Sequence, residues 1–201
     1  FIKFSGWSRK IVIFVIILIY TVSLSYFLTM YWYRTPFDKS MGWYFHKRAV
    51  ANYITRIREK SDKKIIVVTA QPADTFNEYV FFGDLYNTKA DILDVNKVYD
   101  SQKYEYKNTK FVNNCDELTQ KEIISGSIIF IEQGVDCLIN QKGTAKIANP
   151  RDGGGIYDIV NENLCAGYPK ARFPYPRKIS DFSIERLSDS EFCKLWITNP
   201  D

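Results

Sequence analysis

The sequence predicts an α/β fold: one membrane-spanning helix followed by a small α/β domain with a central sheet of about four strands. Three observations carry that expectation. Residues Ile11 to Tyr33 form a run of 23 positions without a charge. Two short, β-branched-rich runs, "KIIVVTA" (Lys64–Ala70) and "SIIFIEQ" (Ser127–Gln133), have the continuous apolarity of strands buried on both faces. Segments of helical periodicity alternate with them, the strand-helix-strand order of an α/β layer architecture.

The first element divides the chain. At about 1.5 Å per helical residue, the uncharged run crosses a hydrocarbon core of roughly 30 Å. A cleaved signal peptide would have a shorter apolar core and a small-residue cleavage site. Here Tyr31, Trp32, Tyr33 and Arg34 follow instead, an interfacial aromatic belt to which Trp43 adds a further anchor. The expected organisation is a basic flank over 1–10, a transmembrane helix over 11–33, an aromatic and basic junction with the first helix over 34–60, and an extracytoplasmic domain over 61–201.

Charge follows the same division. The net charge of +4 combines +3 over residues 1–33, +5 over 34–60 and −4 over 61–201. The folded part is therefore mildly acidic, which argues against nucleic acid as a partner. Cations beside a bilayer suit membrane lipid: Arg34, Lys39, Lys47 and Arg48 are the candidate contacts to head groups or to a lipid phosphate. Basic residues before and shortly after the span are too evenly matched to decide orientation. The cysteines favour the extracytoplasmic side. Cys115, Cys137, Cys165 and Cys193 are an even number at wide spacing, which suits two disulfides with three possible pairings, the alternative being four reduced, buried cysteines. No spacing among them resembles a zinc site.

Along the soluble part, Gly42–Lys60 has a helical stripe through Tyr44, Val50, Tyr53, Ile54 and Ile57. After the "KIIVVTA" strand, Asp74 is placed to cap a helix running to about Tyr86. "DILDV" (Asp91–Val95) has the composition of a weak strand, and "SQKYEYKNTKFVNNC" of an exposed loop with an edge strand. "DELTQKEIISG" reads as a short helix stopped by Gly126. The tract beyond Gly134, with its glycine triplet and prolines, reads as an extended loop. "ISDFSIERL" reads as a strand, and Ser188 with Glu191 opens a short helix at capping-box spacing.

Catalytic chemistry is thinly represented. His46, the single histidine, has no recognised nucleophile motif beside it and reads as a structural or interfacial residue. "RDGGGIYD" (Arg151–Asp158) lacks the Lys-Ser/Thr of a phosphate-binding loop and reads as a surface turn. Asp74, Glu78 and Asp84 share a helix as a solvated face. No catalytic or metal-ligating residue is singled out.

The order of parts resembles the C-terminal end of membrane glycosyltransferases of the GT-C type, the bacterial relatives of the protein mannosyltransferases. The residues that carry the likeness are "PFDKSMGWYFHKRAVANYI" with its Tyr53-Ile54 pair, the "KIIVV" strand, the aromatics from Tyr79 to Phe82 in "FNEYVFFGDLY", and the closing "SIERLSDSEFCKLWI". The resemblance implies an accessory domain that caps a membrane active site and helps bind the acceptor, with a polyprenyl-phosphate-sugar as donor. The family's catalytic carboxylate lies in an early loop, so it corresponds to no position here, and the fragment is expected to be non-catalytic. No cofactor is expected within these residues; whether the full enzyme uses a divalent metal, and its oligomeric state, stay open. The chain's start at Phe1 fits a tail of a longer protein. The alternative is a single-pass, membrane-anchored binding or sensor domain without enzymatic activity.

Overall fold

The computed structural model describes residues 6–31, 45–119, 126–137, 143–149, 153–169 and 183–198. They belong to two compact units, Phe1–Lys39 and Ser40–Asp201.

Among the described residues, the first unit contains one helix, α1 (Gly6–Thr29), with residues 30–31 continuing from it. Its stretch Lys10–Thr29 has a mean hydropathy of 2.6 and is long and apolar enough to cross a membrane. Apolar side chains face outward all round it, the pattern of a helix whose surroundings are themselves apolar. Its two threonine hydroxyls bond within the helix: Thr21 Oγ1 donates to the Ile17 carbonyl at 2.8 Å and Thr29 Oγ1 to that of Ser25 at 2.9 Å.

The second unit is an α/β domain built on one mixed sheet. Its strands are β1 (Ile65–Val68), β2 (Glu105–Tyr106), β3 (Thr109–Val112), β4 (Ile128–Glu132), β5 (Ala145–Ala148), β6 (Gly155–Val160) and β7 (Ile197–Thr198). In space the order is β2-β3-β1-β4-β6-β5-β7, seven strands where about four were expected. β1 lies between β3 and β4, parallel to both, and all four of its residues are buried. That environment explains its unbroken apolarity. The remaining pairs are antiparallel.

The additional strands have physical explanations. β2 and β7 are only two residues long, too short for a periodic signal. β2 turns into β3 through Lys107 and Asn108, both at positive φ (44° and 63°), the backbone of a tight hairpin. β5 and β6 come from the tract read as an extended loop. Around its glycine triplet the chain makes a hairpin, with Asn149 N–H on the Gly154 carbonyl and Gly153 N–H on that of Asn149.

Among the described residues, four helices cover one face of the sheet: α2 (Phe45–Arg58), α3 (Pro72–Phe82), α4 (Lys89–Ser101) and α5 (Asp189–Trp196). Tyr53 and Ile54 of α2, Phe76 and Tyr79 of α3, and Phe192 and Trp196 of α5 pack with Val67, Phe111 and Phe130 of the sheet. Full burial of side chains of this size contributes roughly 1.5–3 kcal/mol each. Ile66, Val68, Val112, Ile129 and Val160 point to the opposite face, where Leu118 packs on them.

Three local expectations are revised. "DILDV" belongs to helix α4, which begins where Thr88 caps the Asp91 N–H and buries Val95 and Val98, a helical rather than a strand spacing. In "ISDFSIERL", residues Ile184–Arg186 form a 3-10 turn instead of a strand, and 179–182 lie outside the described residues. α3 starts at Pro72 and stops at Phe82: Gly83 makes the last helical bond, to the Tyr79 carbonyl, and Asp84 then turns left-handed at φ 55°, with the Leu85 N–H on the Val80 carbonyl. A Cβ at position 83 would collide with the Tyr79 carbonyl. Asp74 therefore sits in the first turn instead of at the cap. The capping box of Ser188 and Glu191 is present and opens α5. Of "DELTQKEIISG", Asp116 and Glu117 belong to the 3-10 turn Cys115–Glu117, and 120–125 lie outside the described residues.

The four cysteines form two bridges, Cys115–Cys137 and Cys165–Cys193. The first lies against the face opposite the helices, and the second is buried in the helix-covered core.

Candidate functional site

In an open parallel sheet, a crevice forms where chains leave the carboxyl ends of adjacent strands toward opposite faces. Here β1 leads into α3 on the helix-covered face. β3 leads into Cys115 and Leu118, and β4 into Val135 and Cys137, all on the opposite face. The topology therefore opens two gaps, one on each side of β1.

The gap between β1 and β4 is filled by side chains of the chain itself. Glu132, the last residue of β4, accepts a hydrogen bond through Oε2 from Thr69 Oγ1 at 2.5 Å and from the Ala70 N–H at 2.9 Å. Tyr157, the cross-strand partner of Glu132 on β6, donates its hydroxyl to Thr69 Oγ1 at 3.4 Å. Thr75 Oγ1 lies 3.1 Å from Thr69 Oγ1 and donates to the Gln71 carbonyl at 3.0 Å. The His46 ring stacks on Tyr157 with centroids 6.4 Å apart. Burial lowers the His46 pKa to about 4, the Glu132 charge opposing the shift and Lys47 adding to it. Burial and the Glu132 charge push the Tyr157 phenol upward. Both rings are thus neutral near pH 7, and the network is a staple between strand ends.

The gap between β1 and β3 is open. It is a cleft of about 770 Å³, within the range of small-ligand sites. Gln71 and Asp74 at the start of α3 form one side, Gln102 to Tyr104 after α4 another, and Phe111 to Asn113 at the end of β3 a third. Gln102 is the left-handed C-cap of α4, φ 52°, and the chain reverses there into the cleft wall. Tyr104 is half-buried and packs on Phe76, with ring centroids 5.6 Å apart.

The charges around the cleft nearly balance. Asp74, Glu105 and Glu117 face Lys103 and Lys110. Some are engaged: Lys64 lies 3.1 Å from Glu105, and Lys110 Nζ donates to the Glu117 carbonyl at 3.3 Å. Among the described residues, the side chains of Gln102, Lys103 and Asn113 make no hydrogen bond to the rest of the chain. Lys47 Nζ donates to Gln71 Oε1 at 2.7 Å, fixing that amide on the α3 side of the cleft.

Of the residues expected at head groups, Arg34 and Lys39 lie outside the described residues, as do the anchors Trp32, Tyr33 and Trp43. Tyr31 follows α1 and stacks on Phe27 at 5.7 Å. Lys47 is turned inward: its side chain is 2% exposed, on Gln71 and 3.8 Å from Asp74. Arg48 makes a two-pronged ion pair with Glu185, at 2.5 and 2.6 Å, and lies 4.5 Å over the Phe82 ring. Asp74 and Glu78, read as a solvated face, adjoin these cations. Burial raises the Glu78 pKa, with Lys47 and Arg48 opposing.

Sequence reasoning did not single out Thr69, Glu132, Tyr104, Gln102 or Asn113. The usable signal was positional: Thr69 and Glu132 are polar residues near the ends of the two short apolar runs read as buried strands. Among the described residues no cluster of three His, Cys, Asp or Glu side chains is placed to hold a metal ion. Comparison with protein-family models, with curated proteins and with solved structures gives no match for the chain.

Proposed function

We propose that this domain is the C-terminal accessory domain of a membrane glycosyltransferase that uses polyprenyl-phosphate-linked sugars. It stands on the extracytoplasmic side and helps bind the acceptor, while the catalytic residues belong to other parts of the enzyme. The observation that carries the reading is the open β1/β3 cleft, lined by uncommitted amides, in a disulfide-bonded domain that follows an apolar helix. The sequence resemblance supplies the donor class. Two disulfides support the extracytoplasmic side, because such bonds persist in oxidising compartments. In the same reading, Arg34 and Lys39 meet the lipid phosphate, and Lys47 and Arg48 secure α2 to the domain.

The test is sugar transfer by the full-length protein, purified in detergent and supplied with a polyprenyl-phosphate-sugar. Transfer is expected, with the donor KM raised by charge reversal at Arg34 and Lys39. A folded full-length protein that transfers no sugar from any such donor would sink this reading. The second reading, an anchored binding or sensor domain, is favoured by one observation: the described cleft is assembled entirely from residues of the domain. Ligand binding without transfer is the outcome expected of it.

A further inference from the structure

We infer that the β1/β3 cleft is a subsite for a short neutral saccharide. The inference rests on the acceptor-binding reading for the origin of the saccharide, and on the cleft alone for its chemistry.

Three features select that chemistry. The first is the mixture of donors and acceptors. Gln71, Gln102 and Asn113 place three amides around one cleft, and among the described residues the last two side chains bond to nothing else in the chain. A primary amide offers both donors and an acceptor, which matches hydroxyl groups that both give and receive. The second is an aromatic wall. Tyr104 is braced by Phe76 and lines the cleft. Its ring supplies apolar surface with a polar tip, complementary to the C–H face and rim hydroxyls of a pyranose. The third is the charge balance. A helix N-terminus attracts anions, but the first turn of α3 already carries Asp74. With Glu105 and Glu117, three carboxylates face two lysines. Lys47 lies 3.8 Å from Asp74 and Lys64 3.1 Å from Glu105, so two of the carboxylates are already neutralised and the cleft offers a phosphate or sulfate no concentrated charge to attract it, whereas a neutral polyol needs none.

The saccharide has two possible owners, a glycan on the acceptor or the sugar of the lipid-linked donor, and the experiment separates them. Full-length protein in detergent is titrated with neutral disaccharides (maltose, cellobiose, mannobiose), with inorganic phosphate, and with polyprenyl phosphate bearing or lacking its sugar. Binding is read by calorimetry and saturation-transfer NMR. At least one disaccharide is expected to bind saturably, undisplaced by phosphate, and about tenfold more weakly to Asn113→Ala and to Gln102→Ala. These two are surface amides, so the variants keep the fold where Tyr104→Ala would disturb the Phe76 contact. If the donor owns the sugar, sugar-bearing lipid competes with the disaccharide and bare polyprenyl phosphate does not; if the acceptor owns it, neither lipid competes. No saturable disaccharide binding, binding unchanged in both variants, or displacement by inorganic phosphate overturns the inference. Transfer activity is measured on the same preparations. A protein that transfers sugar while binding none in the cleft loses this subsite and keeps the glycosyltransferase reading. One that binds but does not transfer keeps the subsite and loses that reading.

Discussion

The two gaps flanking β1 arise from one topological cause and end differently. Both lie where the chain leaves neighbouring parallel strands toward opposite faces of the sheet. On the β4 side, the carboxylate of Glu132 bridges to Thr69 and Ala70, and Tyr157 closes the space behind. On the β3 side no side chain makes the corresponding bridge among the described residues, and a cleft of about 770 Å³ stays open. The difference lies in one residue at each strand end. β4 ends in Glu132, long enough to reach across; β3 ends in Val112, followed by Asn113, which is too short. A fold rule thus provides places for a site, and terminal side chains decide which place is kept.

The largest effect expected on this pair of gaps is from the Cys115–Cys137 bridge, which ties together the two segments leaving β3 and β4. Replacing both cysteines by serine should cost about 3 kcal/mol for a crosslink of 22 residues' separation, measured by urea unfolding. Ligand binding in the cleft should weaken as well. Removing Cys165–Cys193, in the helix-covered core, should cost a similar amount and leave the cleft walls in place. Equal effects of both pairs on the cleft would break the comparison.

Next comes a pH dependence on the closed side. His46 has a pKa of about 4 in the folded domain, against about 6.5 in an unfolded chain. The unfolded chain therefore takes the proton first. Stability is full above pH 6.5 and declines as pH falls toward 4, by roughly 2–3 kcal/mol. Glu78, raised by burial, works in the opposite direction, since the folded state takes its proton first. The measurement is accordingly a difference: urea midpoints of wild type and His46→Phe between pH 7.5 and 4.5. The variant should show a flatter profile; an unchanged profile would remove His46 from the staple.

Glu132→Ala should follow, at about 2 kcal/mol, because the Thr69 hydroxyl and the Ala70 N–H lose their acceptor. Glu132→Gln retains an acceptor and should cost about half as much. A loss below about 0.5 kcal/mol for Glu132→Ala would mean that the gap does not need its staple. The smallest effect belongs to the open side: Asn113→Ala should change stability by no more than about 0.5 kcal/mol, although binding falls. A large loss of stability there would show Asn113 to be structural.

Legibility varied with the length and isolation of each signal. β1, β4, α2 and the capping box of α5 were readable, since each is either a continuous apolar run between breakers or a defined spacing of side chains. Helix α4 was misread through "DILDV", where β-branched residues imitate a strand; the helix is made by the Thr88 cap and the burial of Val95 and Val98. β5 and β6 were hidden because their four-residue and six-residue runs are separated by glycines that composition alone assigns to a loop. The head-group expectation illustrates the same limit at the site. Lys47 and Arg48 share a basic junction in the sequence, yet Lys47 lies buried on Gln71 and Arg48 is held by Glu185, 137 residues away.

The sequence by itself determined the apolar helix, the α/β order and the even set of cysteines, because these depend on local composition and on counting. The tertiary structure decided the disulfide pairing, the seven-stranded order and the choice between the two gaps. Those depend on which distant residues meet: whether Glu132 reaches Thr69 across 63 positions, and whether anything reaches across the other side. Such meetings follow from strand order and from the face to which each connection turns, and neither is written in any short stretch of chain.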